Sequence, residues 1–415
     1  MYPGLMLSNF YIHGIIFNSM HLVIVSPFPP SITGVGQYGY HLTRAIENTG
    51  AFSHITVLAG ARAKRDNHLN HLDKTEIDYC WHPGQSNARH AILARIKNLD
   101  PDLVWFNFGA SAFGKSPFLN LSGMFTPMLA RRAGYPTIVT LHELVALTDL
   151  HALNAPGGML APLGARLLTK IATQADVVCL TMHHYVDWLT ARGVDCMYIP
   201  IGAYHEPEIL PEPDTQNLLF FTTFAPYKGM ELLLEAFGNL RTEFPQLHLT
   251  IAGAAHMRFP DYARDLKNRF NGSHNIQWLG QVAEENVREL FRRAQIVVLP
   301  YTASTGSSSV LYQAATWGRT VIASNLDENQ RLARENDINI QFFESGNAKS
   351  LQDSIRALLN SPGLRKSQAE SNFIAIQRLR PAATSRHYLA AFNRALRKRQ
   401  SPKRISVTHE EMELS

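Results

Sequence analysis

Short runs of apolar and β-branched residues alternate with longer segments of helical periodicity through most of the chain. Strands that are apolar on both faces and separated by helices are typical of a parallel sheet covered on each side. In the first half this pattern predicts strands at 21–26, 55–59, 102–107, 137–142 and 176–181, with helices at 37–48, 86–98, 120–132 and 160–173. The first half therefore predicts a doubly wound α/β domain.

The alternation stops at 204–216, where YHEPEILPEPDTQ combines three prolines and four acids without apolar periodicity, as expected of a linker. It then resumes, with strands predicted at 217–222, 247–253, 276–280, 295–300 and 320–324 and helices at 229–240, 260–270, 283–294, 307–317 and 347–360. Two such domains place a cleft between the carboxyl ends of their sheets, where these folds bind ligands. The predicted fold class is α/β, with two Rossmann-like doubly wound domains facing a central cleft.

Domain boundaries follow from the same pattern, since 415 residues exceed what one hydrophobic core usually organises. We assign the N-terminal domain to 20–203, the linker to 204–216, the C-terminal domain to 217–382, a last helix to 383–398 and a charged tail to 399–415. Residues 1–19 are interpreted as an upstream extension, because Met20 directly precedes a strand and polar residues interrupt the apolar stretch before it.

Composition excludes several classes of protein. With 45% hydrophobic and 18% charged residues the chain is neither wholly disordered nor fibrous. Six basic residues lie in 394–404 and three acids lie at 410, 411 and 413, so the remainder holds 33 basic against 31 acidic residues. A nearly neutral body offers no basic face for nucleic acid. The basic tail is interpreted as a solvated terminus, with contact to anionic lipid or to an acidic partner as the alternatives.

Three dispersed cysteines, Cys80, Cys179 and Cys196, argue against a disulfide framework and a CxxC zinc site and suit a reducing compartment. No uninterrupted apolar run reaches the roughly 20 residues of a membrane span. We therefore expect a cytoplasmic protein, with peripheral contact at the inner face of a membrane left open.

A glycine-rich segment, Gly34-Val-Gly36-Gln-Tyr-Gly39, follows the first predicted strand and matches G-x-G-x-x-G. Glycines at such a place let backbone N–H groups approach an anion closely. A dinucleotide site would need a tighter turn after Ser26 and an acid at the end of the second strand, which instead ends in LAGAR. A structural turn and a substrate-contacting loop are the alternatives, and the second is preferred.

Candidate metal ligands are weak. Asp100 and Asp102 form a D-x-D pair at the amino end of a strand, away from the cleft, where an Asp-Pro turn explains them. His183 and His184 are adjacent and cannot face one ion from a single helix face. We expect no metal and no other cofactor.

Three positions at the carboxyl ends of strands are candidates for chemistry. His142, followed by Glu143, closes the fourth long strand of the first domain, as either a packed residue or a functional one. Lys228 follows the first strand of the second domain and opens a helix, where a lysine and free N–H groups suit a phosphate; an exposed surface lysine is the alternative.

The most informative segment is TGSSSVLYQAATWG at 305–318. A strand ends before it and a helix is predicted near Ser308, so Gly306, Ser307, Ser308 and Ser309 offer N–H and hydroxyl donors suited to a diphosphate. A serine cap explains one of these serines but not three after a glycine. Gln313 lies one turn into the helix, within reach of a ribose hydroxyl.

These segments together resemble the retaining glycosyltransferases of GT-B fold, family 4 (glycosyl transferase group 1), over about residues 20–390. The resemblance rests on VSPFPPSITGVGQYGYHLTRAI, TFAPYKGMELLLEAF and AQIVVLPYTASTGSSSVLYQAATWGRTVIAS. It implies that Gly34 and Val35 face the acceptor, Gly36 the donor phosphate, and His142 the donor sugar. It also implies that Lys228, the lysine of an R-x4-K motif, contacts the diphosphate.

Two departures from the family pattern concern the donor site. Thr223 stands where R-x4-K has its arginine, and the E-x7-E motif aligns as Thr305 and Gln313. A lost guanidinium removes a bidentate phosphate partner, and a neutral amide cannot match a carboxylate as acceptor. The serines and backbone of 306–309 then carry more of the diphosphate, or activity is reduced.

The resemblance implies a glycosyltransferase, specifically a hexosyltransferase, that moves a sugar from a nucleotide-sugar to a hydroxyl with retention, in polysaccharide or glycoconjugate biosynthesis. Its partners would be the nucleotide-sugar donor and a saccharide or lipid-linked acceptor, without nucleic acid. The alternative is a non-catalytic GT-B binding or scaffold protein, which the two lost charges favour.

Overall fold

The computed structural model describes residues 17, 19–29, 33–60, 72–153, 158, 161–270, 275–304 and 306–400. Within them, the first domain has a parallel sheet in the order β3-β2-β1-β4-β5-β6-β7. Its strands are β1 His21–Ser26, β2 His54–Gly60, β3 Thr75–Trp81, β4 Leu103–Phe108, β5 Thr137–Leu141, β6 Val177–Leu180 and β7 Cys196–Tyr198. Its helices are α1 Gly34–Glu47, α2 Ala88–Leu99, α3 Pro117–Met124, α4 Thr126–Arg132, α5 Ala161–Ala172 and α6 His183–Thr190.

The second domain repeats this topology with a parallel sheet in the order β10-β9-β8-β11-β12-β13. Its strands are β8 Asn217–Phe221, β9 His248–Ala252, β10 Ile276–Gly280, β11 Ile296–Leu299, β12 Thr320–Ser324 and β13 Gln341–Phe343. The helices are α7 Met230–Leu240, α8 Tyr262–Arg269, α9 Val287–Arg292, α10 Ser309–Thr316, α11 Asp327–Asn336, α12 Ala348–Leu359, α13 Pro362–Ile376 and α14 Pro381–Gln400. The predicted fold class is confirmed.

Alternation along the central strands explains why both faces of each sheet are covered. In β1, Leu22 and Ile24 belong to one hydrophobic cluster, and Val23 and Val25 belong to the cluster on the opposite face. All four side chains are fully buried. A strand buried on both faces reads as a continuous apolar run, which is why the sequence predicts these strands well.

Phe17 precedes the predicted domain boundary at residue 20, yet it is only 3% exposed and its ring lies 5.2 Å from that of Phe52. The backbone N–H of Met20 donates to its carbonyl. Phe17 therefore contributes to the core of the first domain. The rest of the predicted extension, apart from Ser19, lies outside the described residues.

The linker is held firmly although its sequence lacks periodicity. Tyr204 and Leu210 are buried. The buried guanidinium of Arg319, at the start of β12, donates to the carbonyl oxygens of Leu210 at 2.9 Å and Pro211 at 2.8 Å. These contacts attach the linker to the second domain.

The last helix, α14, leaves the second domain and packs on the first. The Tyr388 hydroxyl lies 2.7 Å from that of Tyr38 and 2.8 Å from Thr140 Oγ1, which also accepts the indole N–H of Trp105. The ring of Phe392 lies 5.8 Å from that of Phe52. The two domains are therefore connected both by the linker and by α14.

The basic end of α14 is also committed to the first domain. Arg399 Nε pairs with Asp176 at 3.0 Å, Lys398 donates to the carbonyl of Asp176, and Arg394 pairs with Asp195. These three cations neutralise acids of the same chain instead of forming part of a free tail. Residues 401–415 of the predicted tail lie outside the described residues. Among the described helices, none has the length and apolarity to cross a bilayer.

The Tyr388 network predicts a stability effect. Tyr388→Phe leaves buried Tyr38 without its hydroxyl partner, so we expect the free energy of unfolding to fall by about 1–3 kcal/mol. The change is measured by urea unfolding followed by tryptophan fluorescence. Tyr135→Phe is the matched control, because that hydroxyl bonds to Asp100 at an exposed site and should cost less than about 0.5 kcal/mol. Equal losses in the two variants would show that the Tyr388 hydroxyl does not stabilise the domain contact.

Candidate functional site

Loops from both domains meet where their strands end. Gly306, just before α10, lies against the carbonyl oxygen of His142 at the end of β5, and a Cβ there would collide with it. Its φ of +124° lies in a region that residues other than glycine rarely adopt. The structure thus brings together His142 from the first domain and the serine-rich segment from the second, as the sequence predicts.

Lys228 lies at this junction, at the end of a 3₁₀ turn spanning Pro226–Lys228. The next residue, Gly229, has a φ of +70° and is so close to the Pro300 carbonyl that no Cβ would fit. Lys228 Nζ lies 4.0 Å from the centre of the Tyr301 ring, a cation–π contact. Burial lowers the pKa of Lys228 to about 8, and the negative charge of Glu143 opposes the shift. The alternative of an exposed surface lysine is therefore wrong.

Glu143 faces Lys228 from the first domain. Its Oε1 accepts the N–H of Ala110 at 2.7 Å, next to the end of β4. Burial raises the pKa of Glu143, while the Ala110 bond and the charge of Lys228 lower it. Glu143 has no predicted role from the sequence, where its one signal is its place after a buried strand, beside His142.

His142 is held by a network whose proton positions can be assigned. Asn107 Nδ2 donates to the carbonyl of Val35 at 3.0 Å and to Ser26 Oγ at 2.8 Å, which leaves Asn107 Oδ1 as an acceptor. His142 Nε2 lies 2.7 Å from that oxygen and so carries the proton. Burial lowers the pKa of His142 to about 4. The imidazole is therefore neutral near pH 7, with Nδ1 as its unprotonated nitrogen.

The glycine-rich segment is the first turn of α1 instead of an open loop. Thr33 caps the helix by accepting the N–H of Gly36 at 3.0 Å, so that donor is already used. Gly39 permits the helix to pack on the sheet, because a Cβ there would lie 2.5 Å from Ser26 Oγ. Gly34 has open space around it, and the Val35 carbonyl is bonded to Asn107. Gly39 thus has the structural role, while the roles of Gly34, Val35 and Gly36 towards ligands stay predictions.

The amino end of α10 offers hydrogen-bond donors that the helix itself does not use. Ser308 is the N-cap residue but makes no side-chain capping bond, and Ser309 begins the helix. Among the described residues Ser307 Oγ is buried without a hydrogen-bond partner. Free N–H groups and a hydroxyl at a helix N-terminus suit an anion. Thr305, the first position of the altered E-x7-E motif, lies outside the described residues.

A cleft lies between the carboxyl ends of strands in the second sheet and the linker. Its lining includes Gln37, Tyr204, Gln281, Glu284 and Gln313. Gln313 is 8% exposed, and Gln37 Oε1 has no partner among the described residues. Thr223, partly exposed after β8, completes the set of predicted donor positions. Unsatisfied polar atoms in a concave site are typical of ligand binding.

His41, His205 and Glu284 form a cluster beside this cleft, and no motif in the sequence predicts it. Both His41 Nε2, at 3.0 Å, and His205 Nε2, at 2.9 Å, contact Glu284 Oε1. The donor atoms of the three residues lie within 4.8 Å of one another, as in a metal site. However, Arg44 donates to His41 Nδ1 at 3.3 Å, so a neutral His41 carries its proton on Nε2. That proton, and the cation beside it, suit a hydrogen-bonded junction better than a metal centre.

Three of the other weak metal candidates, Asp100, Asp102 and His183, make structural contacts. Asp102 accepts the backbone N–H of His21 at 2.8 Å, and Asp100 accepts the hydroxyl of Tyr135. His183 stacks on Tyr198 with ring centres 3.6 Å apart. The expectation that no metal is needed stays a prediction.

Comparison with known proteins adds to this geometry. One family model, "Glycosyl transferase 4-like domain", matches residues 33–202, and another, "Glycosyl transferases group 1", matches 205–373. Phosphatidyl-myo-inositol mannosyltransferase of Mycobacterium leprae is 26% identical over 256 residues, which cover 60% of this chain and 64% of the relative. The chain therefore matches less than two thirds of that relative's length.

Solved structures share the fold. Anabaena Alr3699/HepE in complex with UDP-glucose has a TM-score of 0.68 at 16% identity, covering 90% of this chain and 99% of that one. Sucrose-phosphate synthase from Thermosynechococcus elongatus has a TM-score of 0.69 at 16% identity, covering 91% and 100%.

The lowered pKa of Lys228 predicts how diphosphate binding depends on pH. Below a pH of about 8 the amine is charged and attracts the anion; as the pH rises through that value the charge is lost. We therefore expect the affinity for a nucleoside diphosphate to fall by up to about tenfold per pH unit above 8, with proton uptake on binding. Calorimetry between pH 7 and 9.5 measures both.

Lys228→Arg is the control, because arginine stays charged in this range and should flatten the profile. A wild-type profile as flat as that of the arginine variant would contradict the assignment of Lys228 to the diphosphate.

Proposed function

Because the chain belongs to the group 1 glycosyltransferases, family 4, of GT-B fold, we propose that it transfers a sugar from a nucleotide-sugar donor to a hydroxyl acceptor, with retention at the anomeric carbon. The observation that carries the proposal is the meeting of partly buried Lys228, the amino end of α10 and the end of β5 where the strands of the two sheets end. Among similar proteins of known structure, Anabaena Alr3699/HepE forms complexes with UDP and with UDP-glucose.

Lys228 and the first turn of α10 stabilise the leaving group. Cleavage of the sugar–phosphate bond places its electron pair on the nucleoside diphosphate, whose charge the ammonium and the N–H groups of Ser307–Ser309 then neutralise. Fixed donors in a partly dehydrated cleft are worth far more than the same groups in water. A metal ion is not needed for this step.

Retention follows when the acceptor attacks the face that the leaving group vacates. The acceptor oxygen forms the new bond to the anomeric carbon, and its proton passes to the departing phosphate oxygen. We assign His142 to the donor sugar, whose hydroxyl its neutral ring would accept at Nδ1, because Nε2 already bonds to Asn107. No protein nucleophile is required in this route.

The acceptor is proposed to be a saccharide or a lipid-linked hydroxyl, in polysaccharide or glycoconjugate biosynthesis. Support comes from relatives named phosphatidyl-myo-inositol mannosyltransferase. The three cysteines are all unpaired, which favours the proposed cytoplasmic location.

Residues on α3 and α5 support peripheral contact at the inner membrane face. Basic residues 394, 398 and 399 of α14 do not, because they already contact groups of the first domain. Phe118 is 75% exposed and Leu163 is 68% exposed. Arg166 and Lys170 are exposed on α5 as well. Apolar side chains beside cations match the boundary between lipid tails and anionic headgroups.

That contact predicts sedimentation with vesicles containing anionic lipid. Leu163→Glu should reduce the bound fraction severalfold, because it removes apolar area and adds a repelled charge. Leu364→Glu, an exposed leucine on α13, is the matched control. Equal binding by both variants would place any membrane contact elsewhere.

Turnover of a nucleotide-sugar tests the function. A panel of UDP-, GDP- and ADP-sugars identifies the donor by thermal shift, because a ligand of the folded state raises its midpoint. Lys228→Ala should then lower turnover by about ten- to a thousandfold, the scale of losing one stabiliser of a leaving group. His142→Ala should lower transfer while leaving nucleoside diphosphate affinity within a few-fold.

Lys349→Ala, an exposed lysine on α12, is the matched control and should keep full activity. A protein that binds the donor but neither transfers nor slowly hydrolyses it would be the non-catalytic binder instead. Wild-type turnover by folded Lys228→Ala would contradict the role of the amine.

A further inference from the structure

The cleft next to Gln313 contains a carboxylate from another part of the chain. Among its lining residues in the described structure, Glu284 alone is charged. It begins the 3₁₀ turn that follows β10 and precedes α9, whereas Gln313 lies on α10. Both side chains therefore border the same space although 29 positions separate them in the sequence.

Glu284 is ionised and fixed in place. Burial would raise the pKa of its carboxyl, but the hydrogen bond from His205 and the close contact of the His41 ring outweigh burial and hold the pKa well below its usual range. The ring of His41 stacks on Tyr204 at 4.5 Å, and that of His205 lies 5.3 Å from Trp317. Neither histidine can turn away without losing these contacts.

The two histidines use one carboxylate oxygen and leave acceptor capacity on the other. Both contacts go to Oε1. A carboxylate has about four lone-pair sites, and the Glu284 side chain keeps 29% of its surface exposed. A ligand in the cleft can therefore donate to Glu284 without displacing His41 or His205.

The chemistry of a ribose fits this carboxylate better than it fits Gln313. A vicinal diol presents two O–H donors, and an ionised acceptor binds such donors more strongly than a neutral amide does. We infer that Glu284, held by His41 and His205, accepts hydrogen bonds from the ribose hydroxyls of the donor and so supplies the carboxylate that position 313 lacks. This inference rests on the proposed function, because it requires a nucleotide donor.

The residues that form and hold this contact come from three different parts of the chain. His41 belongs to α1 of the first domain, His205 to the linker and Glu284 to the second domain. The group that contacts the ribose is therefore positioned by all three parts of the chain. A change in how the domains sit together would alter the contact.

The test compares nucleoside diphosphates with their 2′,3′-dideoxy analogues by calorimetry, using UDP and GDP as the two probes. Wild type should prefer the ribonucleotide by about ten- to a hundredfold, the worth of hydrogen bonds to a charged acceptor. Glu284→Gln should reduce that preference to a few-fold, whereas Gln313→Ala should keep most of it. Glu285→Gln, the exposed neighbour, is the matched control and should behave as wild type.

A second variant keeps the test decisive if Glu284→Gln disturbs the domain junction. Glu284→Gln combined with Gln313→Glu moves the carboxylate to the position used in the family and should restore the ribose preference. His205→Gln keeps a donor to Glu284 and should retain the preference too. Thermal unfolding of each variant identifies loss of fold.

Two results would overturn the inference: ribose preference unchanged in Glu284→Gln and lost in Gln313→Ala, or equal weakening of ribo- and dideoxynucleotides by Glu284→Gln. Absence of binding by any nucleoside diphosphate to wild type is a different outcome, since it contradicts the proposed function itself.

Discussion

The return of the last helix to the first domain is the constraint on which the cleft depends. If the linker were the only connection, the two sheets could swing apart; α14 prevents this by placing Tyr388 and Phe392 in the core of the first domain. The same hydrophobic cluster includes linker residues and continues into the second sheet. Because both connections are buried, the carboxyl ends of the two sheets are held opposite one another. Domain closure would then be an adjustment of an existing cleft instead of its assembly.

Within that frame, the cleft combines charges that are costly to bury with backbone that only glycine can adopt. Lys228 lies on a turn whose end requires Gly229, and the loop facing it requires Gly306. Each glycine lets the backbone bring a hydrogen-bond donor close to the position where negative charge would develop on the leaving group. Desolvation lowers the pKa of Lys228 although Glu143 opposes the shift, and an incoming diphosphate would stabilise the charged ammonium. The site thus pairs a destabilising feature of the empty protein with its proposed function.

Features of the fold that depend on local sequence pattern could be predicted. The buried strands and the positions of His142, Lys228 and Ser308 after them follow from apolar runs and helix starts. The edge strands β3, β7 and β13 were missed because they are short or alternate with polar residues. The start of α1 was placed three residues late, since the cap by Thr33 precedes glycines that normally disfavour a helix.

Contacts between distant segments were beyond the reach of the sequence. Nothing in the sequence around Glu284 indicates that histidines from α1 and the linker converge on it, and nothing in the α14 sequence indicates that Asp176 and Asp195 take its cations. These pairs exist because the fold brings together segments that lie 79 to 243 positions apart in the sequence. The sequence shows that Gln313 departs from the family motif, but it does not show that the carboxylate of Glu284 lies nearby.

We propose that a nucleotide-sugar binds with its diphosphate between Lys228 and the first turn of α10. Hydrogen–deuterium exchange, read by mass spectrometry with and without the donor, tests this placement at the backbone. We expect slower exchange of amides in 225–230 and 306–311 on binding, with the exposed helix α8 unchanged as an internal reference. Bound donor that leaves both segments unaffected, or that protects a surface away from the cleft, would show that the diphosphate binds elsewhere.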